Sequence, residues 1–377
     1  MQFRDLGRQY QVLREEIDRA VKGVMAGTGF IAGKEVHMLE EQLAEYVGVR
    51  HCITCGNGTD ALELALAAWG IGDGDAVFVP DFTFFASGEA PANCGATIVF
   101  VDVDRETFNL SPESLERAVQ KVVKDGRLKP KAVVAVDLFG QSADYRKITP
   151  IARKYGLLLL EDGAQGFGGS IAGKQACSFG DISTTSFFPA KPLGCYGDGG
   201  AIFTDNDDWA AVIRSLCVHG KGIDKYDNVR LGRNSRLDTM QAAVLLVKLK
   251  KFQKYELEQV NQVAEWYNRL LGETLGVPMV KDTFCSSWAQ YTIVCRENQE
   301  RDFLRDNLGK ANIPSMVYYK RGMHEQKAFE GRCIVPEECS ITKYLTGRVL
   351  SLPIGAYMEY EQVQMVAEVI KRCCESS

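Results

Sequence analysis

The sequence predicts an α/β fold, with a mostly parallel central sheet in a large domain and a smaller α+β domain after it. Three observations carry that prediction. Short apolar, β-branched runs recur through the first two hundred or so residues, segments with helical periodicity separate them, and 377 residues are more than one hydrophobic core usually serves. The runs are 76–80, 97–103, 132–140, 157–163, 182–188 and 200–204. They are nearly continuous rather than alternating, as expected of strands buried on both faces. Between them, Asp60–Trp69, Pro112–Val123 and Ser142–Tyr155 have helical spacing, and this βαβα alternation builds a parallel sheet whose sites gather at the carboxyl ends of its strands. Asp238–Leu257 reads as one long helix, 288–295 as a short strand and 359–374 as a last helix. A domain boundary is placed near residue 250, dividing a large domain (1–250) from a small C-terminal one (251–377).

Composition narrows the class of function. With 46% hydrophobic and 25% charged residues the chain is neither disordered nor fibrous, and its net charge of −5 provides no positive field for nucleic acid or anionic lipid. No signal-peptide pattern or membrane-spanning apolar run is apparent, so a cytoplasmic location is expected. The twelve cysteines are dilute and should stay reduced. Cys52 and Cys55 form a C-x-x-C without a second pair, and none of His37, His51, His219 and His324 lies in a ligand-spacing motif, so structural cysteines beside a turn and no metal are expected.

Three features carry chemistry. Lys191 follows a predicted strand and enters the glycine-rich stretch 194–200, where desolvation would lower its pKa and make it a nucleophilic amine; a solvated loop lysine is the alternative. Glu161-Asp162 ends the buried run 157–160, where a carboxylate needs a partner such as a protonated pyridine nitrogen, or else caps the next element. Gly56-Asn57-Gly58-Thr59 opens a helix, which gives either an anion site or a common turn. Together they are the parts a pyridoxal phosphate enzyme needs.

With these parts in place, the sequence resembles, end to end, the DegT-type sugar aminotransferases of the fold-type-I pyridoxal phosphate superfamily. The landmarks are Phe3-Arg-Asp5-Leu6, Gly29-Phe-Ile-Ala-Gly33, Gly58-Thr59-Asp60-Ala61-Leu62, Pro80-Asp-Phe-Thr83-Phe84, Glu161-Asp162-Gly163-Ala164-Gln165, Ser186-Phe-Phe-Pro-Ala-Lys191 and Asn234-Ser-Arg236-Leu-Asp238. The resemblance implies that Lys191 tethers the cofactor and shuttles the proton, that Asp162 pairs with the pyridine nitrogen, and that Gln165 sits near the phenolic oxygen. It implies that Phe84 stacks on the ring, for which ordinary core packing is the alternative. Gly58, Thr59 and Ser186 would hold the phosphate with Asn234 of a second subunit, which makes the protein a homodimer with shared active sites.

His219, Arg236, Tyr319, Lys320 and His324 would meet the substrate, a nucleotide-linked ketosugar, with L-glutamate as amino donor. The sequence departs from the family in Gly163, where Ala or Cys is usual and a looser backbone could follow, and in Lys320 and Gly322, which replace two prolines of the substrate loop. The runs 186–204 and 288–292 look most like the branch that aminates C3 of UDP-2-acetamido-2-deoxy-3-oxo-glucuronate for surface polysaccharide. Alternatives are a dTDP- or UDP-linked 3- or 4-keto-6-deoxysugar aminotransferase and a non-catalytic nucleotide-sugar-sensing regulator. A dehydratase of the same fold is disfavoured, because the members associated with that chemistry carry histidine in place of the lysine.

Overall fold

The computed structural model describes residues 1–224 and 226–375. Two helices, α1 (Leu6–Gly27) and α2 (Lys34–Val47), lead into β1 (His51–Cys55), α3 (Gly58–Ala68), β2 (Asp75–Pro80), α4 (Ala86–Asn93) and β3 (Thr97–Val101). There follow α5 (Pro112–Asp125), β4 (Lys129–Val136), α6 (Tyr145–Tyr155), β5 (Leu158–Asp162), the short β6 (Ser170–Ile171) and β7 (Lys174–Gln175), β8 (Ile182–Ser186), β9 (Gly200–Thr204) and α7 (Asp207–Leu216). The chain ends with α8 (Thr239–Lys251), α9 (Leu257–Leu271), β10 (Phe284–Cys285), β11 (Tyr291–Val294), α10 (Asn298–Lys310), β12 (Cys333–Ile334), α11 (Ser340–Thr346), β13 (Val349–Leu352) and α12 (Tyr360–Glu375).

The predicted runs form the main sheet, whose order is β1-β9-β8-β5-β4-β2-β3-β12. From β8 to β12 every neighbouring pair is parallel, and only β9 runs against both of its neighbours. One face packs on α3, α4 and α7 through Leu62, Leu66, Ala90 and Ile213, and the other on α5 and α6 through Leu115, Val119, Ile148 and Ala152. Both faces are thus covered, which explains the lack of alternation in the strand runs.

The predicted helix 238–257 is realised as α8, a π-helical turn at Phe252–Glu256 and α9. Beyond it a separate apolar cluster joins Val260, Tyr267, Tyr291, Leu304, Leu350 and Val366 around the two-stranded β11–β13 sheet. Several elements were not expected, among them β1, α1 and α2. Strand β1 holds Cys52 and Cys55, both buried but on opposite faces of the sheet, with Cys55 ending the strand at the Gly56-Asn57 turn, and all twelve cysteines are free thiols. The helices α1 and α2 carry apolar residues at helical spacing, Leu13, Ile17 and Val24 on the first and Val36, Leu39, Leu43 and Val47 on the second. Among the described residues, no helix is long and apolar enough to cross a membrane.

Candidate active site

The carboxyl ends of β5 and β8 and the N-terminus of α3 meet at one place. Successive side chains on a strand face opposite ways, and the pair Glu161-Asp162 shows the result. Glu161 is turned to one side, where its carboxylate accepts hydrogen bonds from the amides of Cys177 (2.6 Å), Phe179 (2.7 Å) and Gly180 (3.2 Å) and from Ser183 Oγ (2.7 Å). Four donors fully occupy it, so its role is structural. Asp162 is also buried, but its Oδ2 accepts from Ser87 Oγ (2.7 Å) and its Oδ1 from the Ala164 amide (3.2 Å), which leaves acceptor capacity for a ligand. Burial raises its pKa, opposed by Ser87, the Ala164 amide and the charge of Lys191.

Ser87, on α4, is a site residue that sequence reasoning missed. It lies 3.2 Å from Thr83 Oγ1 in the turn after β2, and the only local signal was a pair of hydroxyls at i, i+4 beside a strand end. Removing its donor leaves Asp162 harder to ionise. Ser87→Ala is therefore expected to move the acid limb of the pH profile of kcat/KM upward, because activity that needs the Asp162 carboxylate is lost as pH falls through its pKa. An acid limb at its original position would show that Ser87 does not tune Asp162.

Lys191 is partly buried in the connection between β8 and β9, where its amide donates to Phe188 O (2.9 Å). It is not the solvated loop lysine of the alternative reading. Burial brings its pKa down to about 8, with Asp162 pulling the other way and the guanidinium of Arg4 adding to the decrease. Arg4, a second residue that sequence reasoning missed, reaches from the N-terminal segment to donate from Nη1 to Ala190 O (3.1 Å). The lowered pKa enlarges the neutral fraction of Lys191 Nζ near neutrality, the form that acts as nucleophile and base.

Gln165 is buried beside them, its Oε1 accepting from the Phe139 amide (2.9 Å) and its Nε2 donating to Tyr319 OH (3.3 Å). The Tyr319 ring meets Phe82 edge-on at 5.8 Å between centroids. Phe84, two residues after Phe82, is 52% exposed, so it is not core packing.

The anion cradle follows from two close approaches. Asn57 caps α3, accepting from the Asp60 amide through Oδ1 (2.8 Å) and from the Ala61 amide through its carbonyl (3.1 Å), so the amides of Gly58 and Thr59 precede the helix's own bonds. A Cβ on Gly58 would lie 2.7 Å from Ser186 Cβ, so only glycine lets the hydroxyl at the end of β8 stand over that helix end. Ser235 Oγ accepts from the Gly56 amide (2.9 Å) and donates to Asp60 Oδ2 (2.6 Å), which ties the 234–236 segment behind the turn while Asn234 and Arg236 stay exposed.

Gly163 is not a loosening. A Cβ there would stand 2.5 Å from Cys177 Sγ and 3.0 Å from Thr184 O, so glycine and cysteine fit each other beneath Asp162. Gly163→Ala should cost about 1–3 kcal/mol of stability, with Cys177→Ala in the same chain recovering part of it in a denaturant melt. Full additivity of the two changes would rule out the contact as the cause.

Other predicted residues lie apart. His219 is exposed at the start of a projecting segment in which Ile223 is 101% and Leu231 98% exposed. Lys320 and Arg321 are exposed, and His324 is turned onto Asp81.

The arrangement fits pyridoxal phosphate: unspent amides and a serine hydroxyl brought into close contact at a helix N-terminus, an amine of lowered pKa, and a buried acid with acceptor capacity left. A model of the DegT/DnrJ/EryC1/StrS aminotransferase family matches residues 11–371. The UDP-2-acetamido-2-deoxy-3-oxo-D-glucuronate aminotransferase of Pseudomonas aeruginosa is 38% identical over 98% of this chain and 99% of its own. The dTDP-3-amino-3,4,6-trideoxy-alpha-D-glucose transaminase of Streptomyces venezuelae is 33% identical over 99% and 96%. A crystal structure of a DegT DnrJ EryC1 StrS aminotransferase from Brucella abortus superposes with a TM-score of 0.96, at 45% identity and 99% coverage of both chains.

Proposed function

Because this chain belongs to the DegT/DnrJ/EryC1/StrS aminotransferase family, whose members are pyridoxal-phosphate-dependent sugar aminotransferases, we propose that it moves an amino group from L-glutamate to C3 of UDP-2-acetamido-2-deoxy-3-oxo-glucuronate, in surface polysaccharide synthesis. The observation that carries the reading is the partly buried Lys191, of lowered pKa, beside the buried Asp162 and the Gly58–Ser186 cradle. The choice of sugar is supported by the full-length similarity to the Pseudomonas enzyme.

When bound, pyridoxal phosphate supplies the electron sink that lets a proton leave and return at the carbon bearing nitrogen. The chain's own residues do the rest. Lys191 Nζ would hold the cofactor covalently and, when free, would serve as the proton carrier. The Asp162 carboxylate would keep a proton on the ring nitrogen, and the Gln165 amide group would face the phenolic oxygen. Phe84, exposed beside the site, offers a face to the ring. The amides of Gly58 and Thr59 and the Ser186 hydroxyl take the phosphate, with Asn234 from the second subunit of a homodimer. The exposed apolar residues of the projecting segment support that exchange. His219, Arg236, Tyr319, Lys320 and His324 belong to the side from which the nucleotide-sugar enters, and residues 1–250 and 251–377 act as the large and small domains around it, in the cytoplasm.

The test is a spectral titration of the purified holoenzyme. L-glutamate should bleach the visible cofactor band, and the UDP-linked 3-oxo-glucuronate should restore it. Restoration only by a dTDP-linked ketosugar would favour the second reading, which the Streptomyces relative supports. Indifference to every amino donor would overturn both.

A further inference from the structure

Among the described residues, three donors of metal-ligand type converge at one place outside the cofactor site: Asp81, His324 and Cys339, whose ligand atoms all lie within 4.8 Å of one another. Asp81 and Cys339 are buried and His324 is partly so. They come from the end of β2, the substrate loop and the start of α11, too far apart in sequence to form a spacing motif. We infer that they form a binding site for one Zn²⁺ ion, with a fourth position open to water.

The placement of each donor supports this. Asp81 and His324 are pre-set against each other by the backbone: the His324 amide donates to Asp81 Oδ1 (2.8 Å) and the Met323 amide to Asp81 O (2.8 Å). Oδ2 meets the His324 ring nitrogen Nδ1 in a 2.7 Å hydrogen bond, so both atoms already point to one place, and an ion seated there would replace that bond. Cys339 is held by the anchoring of α11, whose Ile341 and Thr342 amides both donate to the Asp102 carboxylate (2.9 Å each). Tetrahedral zinc, with bonds of about 2.0–2.3 Å, sets its donors roughly 3.3–3.8 Å apart. The Asp81–His324 pair has only to open slightly and the sulfur to close in.

An adjoining cavity provides the fourth position. It is lined by His324, Cys339, Thr342, Glu325, Glu338 and Lys343 among others, so two of the three donors form its wall and two carboxylates stand around it. The donor set of one thiolate, one imidazole and one carboxylate selects zinc over magnesium or calcium, which prefer oxygen alone. Binding would release the Cys339 thiol proton, and the two anionic ligands would then neutralise the dication. Such an ion would lock the end of the substrate loop to the turn that carries Phe84, which makes it a positioning site rather than a catalytic one.

The experiment uses cofactor-loaded enzyme stripped of metal and titrated with Co²⁺, followed by the d–d absorption of tetrahedral, thiolate-bound cobalt, which lies to the red of the cofactor bands. One equivalent should bind in the wild type and in Cys285→Ser, a partly buried cysteine elsewhere, with affinity at least tenfold lower in Cys339→Ser. Equal binding in Cys339→Ser, or no tetrahedral spectrum in the wild type, would overturn the assignment. Should Cys339→Ser fail to fold, X-ray absorption on the zinc-loaded wild type decides: a shell of one sulfur with nitrogen and oxygen supports the site, and a sulfur-free or all-sulfur shell overturns it.

Discussion

Lys191→Ala is expected to lower amino transfer by at least about 10⁴-fold, because in the proposed mechanism one substitution removes both the covalent hold on the cofactor and the proton carrier. The fold should survive. Lys191 sits in a connection whose ends are fixed by β8 and β9, and its backbone bond to Phe188 O does not depend on the side chain. A small added amine should restore a fraction of the rate, since the cavity left by the side chain lies where Nζ worked. The assay is glutamate-dependent formation of aminosugar, with circular dichroism to show that the variant is folded. Full activity would remove Lys191 from the mechanism.

The second large effect is expected for Asp162→Asn, with a loss on the order of 10²–10³-fold in kcat while the cofactor stays bound. The amide matches the carboxylate in size and can still exchange hydrogen bonds with Ser87 and the Ala164 amide, so what disappears is the negative charge. That charge has two roles. In the proposed mechanism it would hold a proton on the ring nitrogen, and it raises the pKa of Lys191 against the lowering by burial. In Asp162→Asn the Lys191 amine should therefore titrate below about 8, and the pH at which free apoenzyme becomes reactive toward pyridoxal phosphate should move down. A variant with unchanged kcat would show that Asp162 is structural like its neighbour Glu161.

The difference between those two acids marks how far the sequence could be read. The run 157–163 announced a buried strand ending in carboxylates, and the resemblance chose Asp162. That Glu161 is wholly consumed by Cys177, Phe179, Gly180 and Ser183 depended on a loop folding back, which no local pattern encodes. The strands with continuous apolar runs were legible for the same reason that they are buried on two faces. Strand β1 was not, because its five residues include a single aliphatic side chain, Ile53, and become a strand through long-range pairing, His51 to Thr204 and Cys55 to Gly200. The helices α1 and α2 carry an apolar stripe at helical spacing that is legible in the sequence alone. Ser87 and Arg4 act through partners 75 and 186 residues away, so their significance appears only once the chain has folded.

The pairing of β12 with β3 also dictates a schedule for synthesis. Strand β3 ends at Val101, and the strand that closes its outer edge, Cys333–Ile334, is made 232 residues later. At about 5–20 residues per second the ribosome needs roughly 12 to 46 s to deliver it. Throughout that interval the nascent sheet shows a bare row of amides and carbonyls along an apolar strand, a template for pairing with a neighbouring chain. The yield of soluble protein should therefore respond to translation speed and to co-expressed chaperones more than the stability of the finished molecule would suggest.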